Sequence, residues 1–177
     1  MDFWLAQAEI LLSGLLWVAH QGRRDMAAVC EWVLGQDRPS ELGDGEVYTT
    51  LEAFASSTNP ALAGGAADVG RVLKSIWDMD ERTRSSVYAT AQTIVWPWAD
   101  PGVARSSRGE SIDLAWLLSS EGERPRTVYL CAPIEDQQRL APAFGGLLND
   151  LIKQVNLKVA ATGHPLDPPL LVAIPFS

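Results

Sequence analysis

Thr127-Val128-Tyr129-Leu130-Cys131-Ala132 is where the chain changes character. A short, continuous, β-rich run without polar alternation predicts a strand covered on both faces, the pattern of a parallel sheet. Pro133 stops it. Beyond it Leu140, Phe144, Leu147, Leu148, Leu151 and Val155 recur at helical spacing, in a helix that Pro142 is expected to bend. After a loop at 161–168, Pro169-Leu170-Leu171-Val172-Ala173-Ile174 is a second run of the first kind. Strand, helix and strand at this spacing predict a βαβ unit with parallel strands and a right-handed crossover. Two parallel strands cannot stand alone, because both their faces need cover, so the unit reads as part of a larger α/β sheet.

Everything before Arg124-Pro125 reads as helix and connecting loop. Leu5, Ala8, Leu12, Leu15, Leu16 and Ala19 keep a helical period, while Trp4, Leu11 and Trp17 make the other side apolar too, as in the central helix of a bundle. Gly22 closes that helix, and Asp25 caps a second, whose face is Met26, Val29, Trp32 and Val33 before Gly35. A loop at 36–45 leads to a short helix at 47–57. Asn59-Pro60 then opens a helix with an Asx cap and a first-turn proline, continued by Leu62, Ala66, Val69, Leu73, Ile76 and Trp77. Asp78-Met79-Asp80-Glu81 resembles a capping box, with Asp78 as the cap. The helix it starts carries Val87, Ala91, Ile94, Val95 and Trp98 on one face and is expected to end at Asp100-Pro101-Gly102. A polar loop at 103–110 and a short amphipathic piece at 112–118 complete this part. The predicted fold is therefore mostly α: a helical bundle over 1–120, followed by a partial α/β piece over 125–177.

The 177 residues suffice to bury a real core, and 47% hydrophobic with 20% charged residues is a globular rather than a disordered composition. A net charge of −8, with 14 Lys and Arg against 22 Asp and Glu, argues against binding duplex DNA over the whole surface, because such binding rests on cations that neutralise phosphates. The stretch 3–20 barely reaches the length of a membrane span, contains Gln7 and Glu9, and lacks a basic leader, so it reads as a core helix rather than a span or signal. Of the seven tryptophans, Trp4, Trp17, Trp32, Trp77, Trp96 and Trp116 fall on helical core faces, and Trp96-Pro97-Trp98 alternatively caps a partner surface.

Chemistry-bearing patterns are few. No G-x-x-x-x-G-K-[ST] occurs, and Lys74, Lys153 and Lys158, the only lysines, do not follow a glycine, so no phosphate cradle is encoded. Gly64-Gly65 lies within a helix, and Gly109-Glu110-Ser111-Ile112-Asp113 fails the nucleophile-elbow pattern. Asp78, Asp80 and Glu81, and likewise Glu135 and Asp136, cluster at helix starts, where carboxylates favour the positive end of the helix dipole. Cys30 and Cys131 stand alone, as do His20 and His164, without metal-ligand spacing. No catalytic residue, cofactor site or metal site follows from the residues. Arg71 and Lys74 on one helix, with Arg82 and Arg84 on the exposed face of the next, form either a solvated face or a small basic patch for nucleic acid or a neighbouring subunit.

Thr127–Pro133, Gln137-Gln138-Arg139-Leu140-Ala141-Pro142 and Leu166-Asp167-Pro168-Pro169-Leu170-Leu171-Val172 together resemble actinobacterial TraG/TraD-type coupling proteins of type IV secretion systems. The helical part is similar as well: Phe3-Trp4 through Leu15-Leu16, Val29-Cys30-Glu31-Trp32-Val33, Arg82-Thr83-Arg84-Ser85-Ser86-Val87-Tyr88 and Asp100-Pro101-Gly102-Val103-Ala104. The resemblance covers nearly the whole chain; each piece is weak, and their order and spacing carry the specificity. It implies a membrane-associated, hexameric, RecA-like P-loop ATPase that uses ATP and Mg²⁺ to pass DNA and its relaxase into a secretion channel. Residues 1–120 would be most of its cytoplasmic all-α insert domain, and 125–174 the following RecA-like segment. The family's Asp-Glu pair after the second strand is here Pro175-Phe176, and neither can hold Mg²⁺. On this reading the chain is a fragment, truncated or frame-shifted, that hydrolyses no ATP. The soluble segment would face the cytoplasm at the membrane. The alternatives are a free-standing helical interaction module for a relaxase or secretion partner, and an enzyme of another class.

Overall fold

The computed structural model describes residues 3–41, 43–107, 113–118, 126–167 and 169–173. The chain forms two compact units, Met1–Ser106 and Ser107–Ser177.

The first unit is a helical bundle. Its helices are α1 (Phe3–Gln21), α2 (Met26–Leu34), α3 (Glu46–Ala55), α4 (Pro60–Trp77) and α5 (Glu81–Val95), followed by a 3₁₀ turn (Trp96–Ala99) and α6 (Pro101–Ser107). α1 is central, packing against α2, α3, α4 and α5. Ala8, Leu11, Leu12, Leu15, Val18 and Ala19 are buried along it, the three-and-four spacing of a core stripe. By length and composition α1 could also cross a membrane, yet these residues lie in the core that Val29, Val33, Leu73, Ile76, Val87, Tyr88 and Ala91 share. Its packing on α4 uses glycine: a Cβ at Gly65 would stand 2.6 Å from Cζ2 of Trp17.

Local chemistry sets the helix ends. The Asp25 carboxylate accepts from the backbone N–H groups of Ala27 (3.0 Å) and Ala28 (3.2 Å), and Asn59 accepts from Ala61 (3.0 Å) and Leu62 (3.4 Å) ahead of Pro60. The box at 78–81 is shifted by two residues from its expected place. Asp80 is the N-cap of α5 and accepts from Thr83 N–H at 3.1 Å, whereas Asp78 ends α4 and pairs with Lys74. Asp100 likewise opens a helix rather than closing one: α5 stops at Val95, and Asp100 accepts from Gly102 (2.7 Å) and Val103 (3.2 Å) at the start of α6, where a loop was expected. The tryptophans divide differently too. Trp32 and Trp77 are buried and Trp17 and Trp98 pack on the core, but Trp4, Trp96 and Trp116 are exposed at 37%, 55% and 47%.

In the second unit the described elements are α7 (Leu114–Leu117) and α8 (Gln137–Thr162). α8 begins after Pro133 as the sequence predicts, runs through Pro142 unbroken, and ends on Gly163 in the left-handed conformation (φ 68°) that glycine adopts freely. The two β-rich runs flank α8 as predicted, but among the described residues of 126–133 and 169–173 neither forms a strand. A strand exists only with a hydrogen-bonded neighbour, and an apolar run cannot provide one by itself. Tyr129, Ile134 and Leu171 are 83%, 78% and 86% exposed, and only Leu140 and Val155 of the described hydrophobics in this unit are buried.

Candidate functional site

The basic cluster lies at the α4–α5 corner. Arg71 and Lys74, three residues apart, share the outer face of α4. Each has an acid beside it: Arg71 pairs with Asp68, and Lys74 with Asp78 at 2.9 Å. Arg82 is exposed in the first turn of α5, in sequence beside Asp80 and Glu81. Hydrogen bonds from Thr83, through its side chain and then its backbone, hold the Asp80 carboxyl below its ordinary value, so this acid stays charged. The surface of the corner therefore carries more carboxylates (Asp68, Asp78, Asp80, Glu81) than cations (Arg71, Lys74, Arg82). Such a surface gives a phosphate backbone little net attraction.

Arg84 does not share the face of Arg82. Residues two apart on an α-helix point about 200° from one another. Arg84 is instead in register with Val87, Ala91 and Val95, three, seven and eleven residues on, and is buried with them at 9% exposure. Its guanidinium donates to the carbonyl of Trp77 at 3.1 Å and that of Met79 at 2.7 Å. These carbonyls end α4 and begin the turn, where the helix dipole is negative. Its Nε is buried without a hydrogen-bond partner among the described residues. Arg84 therefore ties α4 to α5 rather than standing on the exposed face expected for it.

A second polar cluster, which the sequence did not reveal, joins the 36–45 loop to four helices, α2, α3, α4 and α5. The Asp37 carboxylate accepts from the backbone N–H of Glu46 (2.9 Å) and Val47 (3.0 Å), capping α3 from nine and ten residues upstream. The indole N–H of Trp77 donates to the Tyr88 hydroxyl (3.2 Å), which donates to the Asp37 carbonyl (3.2 Å). Burial raises the Tyr88 pKa above its ordinary 10.0, against the lowering effect of the Trp77 N–H. Glu46 accepts from Trp32 Nε1 at 2.9 Å and pairs with Arg24; the Trp32 hydrogen bond is the first cause of its lowered pKa. All these groups are engaged in holding helices together. They leave no paired acid and base facing a common space.

Beside this cluster an open depression of about 600 Å³ is bordered by Leu34, Asp37, Arg38, Ser40 and Asp44. Its carboxylate at Asp37 is already committed to the cap of α3. Among the described residues no His, Cys, Asp and Glu group has the make-up of a metal site. Cys30 is buried, its thiol directed at the Val95 carbonyl (3.6 Å), and burial raises its pKa first, with Asp25 and Glu31 adding. Cys131, His20 and His164 are exposed. Pro175-Phe176, Arg124-Pro125 and the 109–112 portion of the failed elbow lie outside the described residues.

No family model, curated protein or solved structure matches this chain.

Proposed function

We propose that the chain is a non-hydrolysing portion of a TraG/TraD-type coupling protein, contributing substrate recognition and subunit contact to the delivery of a relaxase–DNA substrate into a type IV secretion channel. The observation that carries this reading is the contrast between its two units. The first has a closed core, whereas the second sets the 26-residue α8 between two apolar β-rich runs that leave Tyr129 and Leu171 in solvent. An amphipathic helix flanked in this way is what a parallel α/β sheet incorporates, and the order of the matching sequence segments points to a RecA-like one. The subunit contacts would be those of a hexamer at the cytoplasmic face of the membrane, with ATP and Mg²⁺ bound by segments other than this one.

The charge balance at the α4–α5 corner favours a protein partner, the relaxase or a neighbouring subunit, over bare DNA. Calorimetric titration of the chain with ATP·Mg²⁺, with single-stranded DNA and with a relaxase separates the possibilities. Heat is expected only with the relaxase. Saturable micromolar ATP binding would sink the reading, and loss of single-strand binding in Arg82→Ala would restore the basic patch as a DNA contact. The closed core of the first unit favours one second reading, a free-standing helical module for a secretion partner. That module would bind the partner with residues 1–106 alone.

A further inference from the structure

α3 buries the fewest side chains of the five main helices in the first unit, and most of its packing is against α4. It fully buries only Val47 and Leu51, against seven residues in α1, five in α5 and four each in α2 and α4. Tyr48 and Phe54 add edge-on contacts to Trp77 (6.3 Å between ring centres) and Trp17 (6.2 Å). Its N-cap is Gly45, which offers no side chain to the free N–H groups of the first turn. Asp37 does that work from outside the helix, and Glu46 adds the tie to Trp32 and Arg24. Gly45 is itself fitted to this arrangement. A Cβ there would overlap the Asp37 carboxylate and stand 2.8 Å from the backbone nitrogen of Arg38. One end of α3 is thus fastened by a few polar groups, while its body rests on a small apolar area.

From this we infer that α3 is a latched strap, which opens as a unit while α1, α2, α4 and α5 stay folded. Segments with few buried apolar contacts open at free energies below that of global unfolding. α4 does not leave with it, because Ala66, Leu73 and Ile76 remain in the core and α4 keeps its own packing on α1. The latch is the pair of carboxylates, Asp37 on the N-terminal amides of α3 and Glu46 on the indole of Trp32. Opening separates Trp17 from Phe54 and Trp77 from Tyr48.

Residue-resolved hydrogen exchange on the intact chain tests this. The amides of α3 are expected to exchange faster than those of α1 and α5 and by a separate opening. Asp37→Ala removes both cap bonds and should lower protection in α3 by about tenfold, with little change in α1 or α5. Gly45→Ala, which displaces the same carboxylate by crowding, should act in the same direction. Val87→Ala, in the core of α5, should lower protection of the slowest amides while leaving α3 unchanged. Overturning results are α3 amides that exchange only with global unfolding, and Val87→Ala lowering α3 protection as much as that of α5.

Discussion

Arg84 places a cation among apolar side chains, with carbonyl oxygens rather than a carboxylate for partners. Hydrogen bonds from a charged donor are worth about 1.5–3 kcal/mol, and removing the donor leaves the buried acceptor groups unsatisfied. Arg84→Ala is therefore expected to lower unfolding stability by about 2–3 kcal/mol in urea titration, whereas Arg82→Ala, in solvent, changes it by less than about 0.5 kcal/mol. Glu46 gives a pH dependence. Its folded pKa lies below the ordinary 4.5, so between those values the unfolded chain binds the proton and the folded chain does not. The stability it contributes is complete above the ordinary carboxylate range and is lost as pH falls through the depressed value; Asp80 acts in the same sense. Urea midpoints followed downward from about pH 5 should fall less steeply in Glu46→Gln than in the parent chain. Neither role was open to inspection of the sequence in the same degree. The position of Arg84 follows from counting back three residues from Val87, a step that grouping it with Arg82 overlooked. Asp37 and Glu46 act on partners nine or more residues away in the chain, a distance at which no sequence periodicity operates.

Helices announce themselves when one stripe is apolar and a cap is local. α1, α2 and α4 could be read because their buried residues repeat at three and four and because Asp25 and Asn59 sit next to the amides they cap. The end of α5 could not, since Trp96-Pro97-Trp98 continues the apolar pattern while the backbone tightens into a 3₁₀ turn. The β-rich runs at 127–132 and 169–174 expose the opposite limit: their composition specifies what a partner strand would find, and no residue of the run supplies that partner. Within α4, two adjacent glycines make a paired test. Gly64 faces open space, so Gly64→Ala should gain about 0.5–1 kcal/mol through helix propensity alone. At Gly65 the same gain opposes a 2.6 Å approach to the rigid ring of Trp17, and overpacking costs about 1–3 kcal/mol. The second effect wins. Thermal melts should rank Gly64→Ala above the parent and Gly65→Ala below it, with a changed Trp emission in the latter alone.

At the scale of the molecule, apolar burial is unequally shared. Twenty of the 22 buried core hydrophobics belong to residues up to Val95, and among the described residues the second unit adds Leu140 and Val155. The enthalpy of unfolding follows packed structure, at about 0.7 kcal/mol per residue near 60 °C. If both units were packed to the usual density, calorimetry of the chain would register about 120 kcal/mol; a single cooperative bundle of roughly 100 residues would give about 70 kcal/mol. The burial predicts the smaller value, in one transition. It also predicts where the missing enthalpy goes. Should a sheet receive the β-rich runs, as the coupling-protein reading requires, Tyr129 and Leu171 would lose their exposure and the enthalpy would rise toward the larger figure. An enthalpy near 120 kcal/mol for the isolated chain would mean that the second unit already has its own core, and would remove the contrast on which that reading stands.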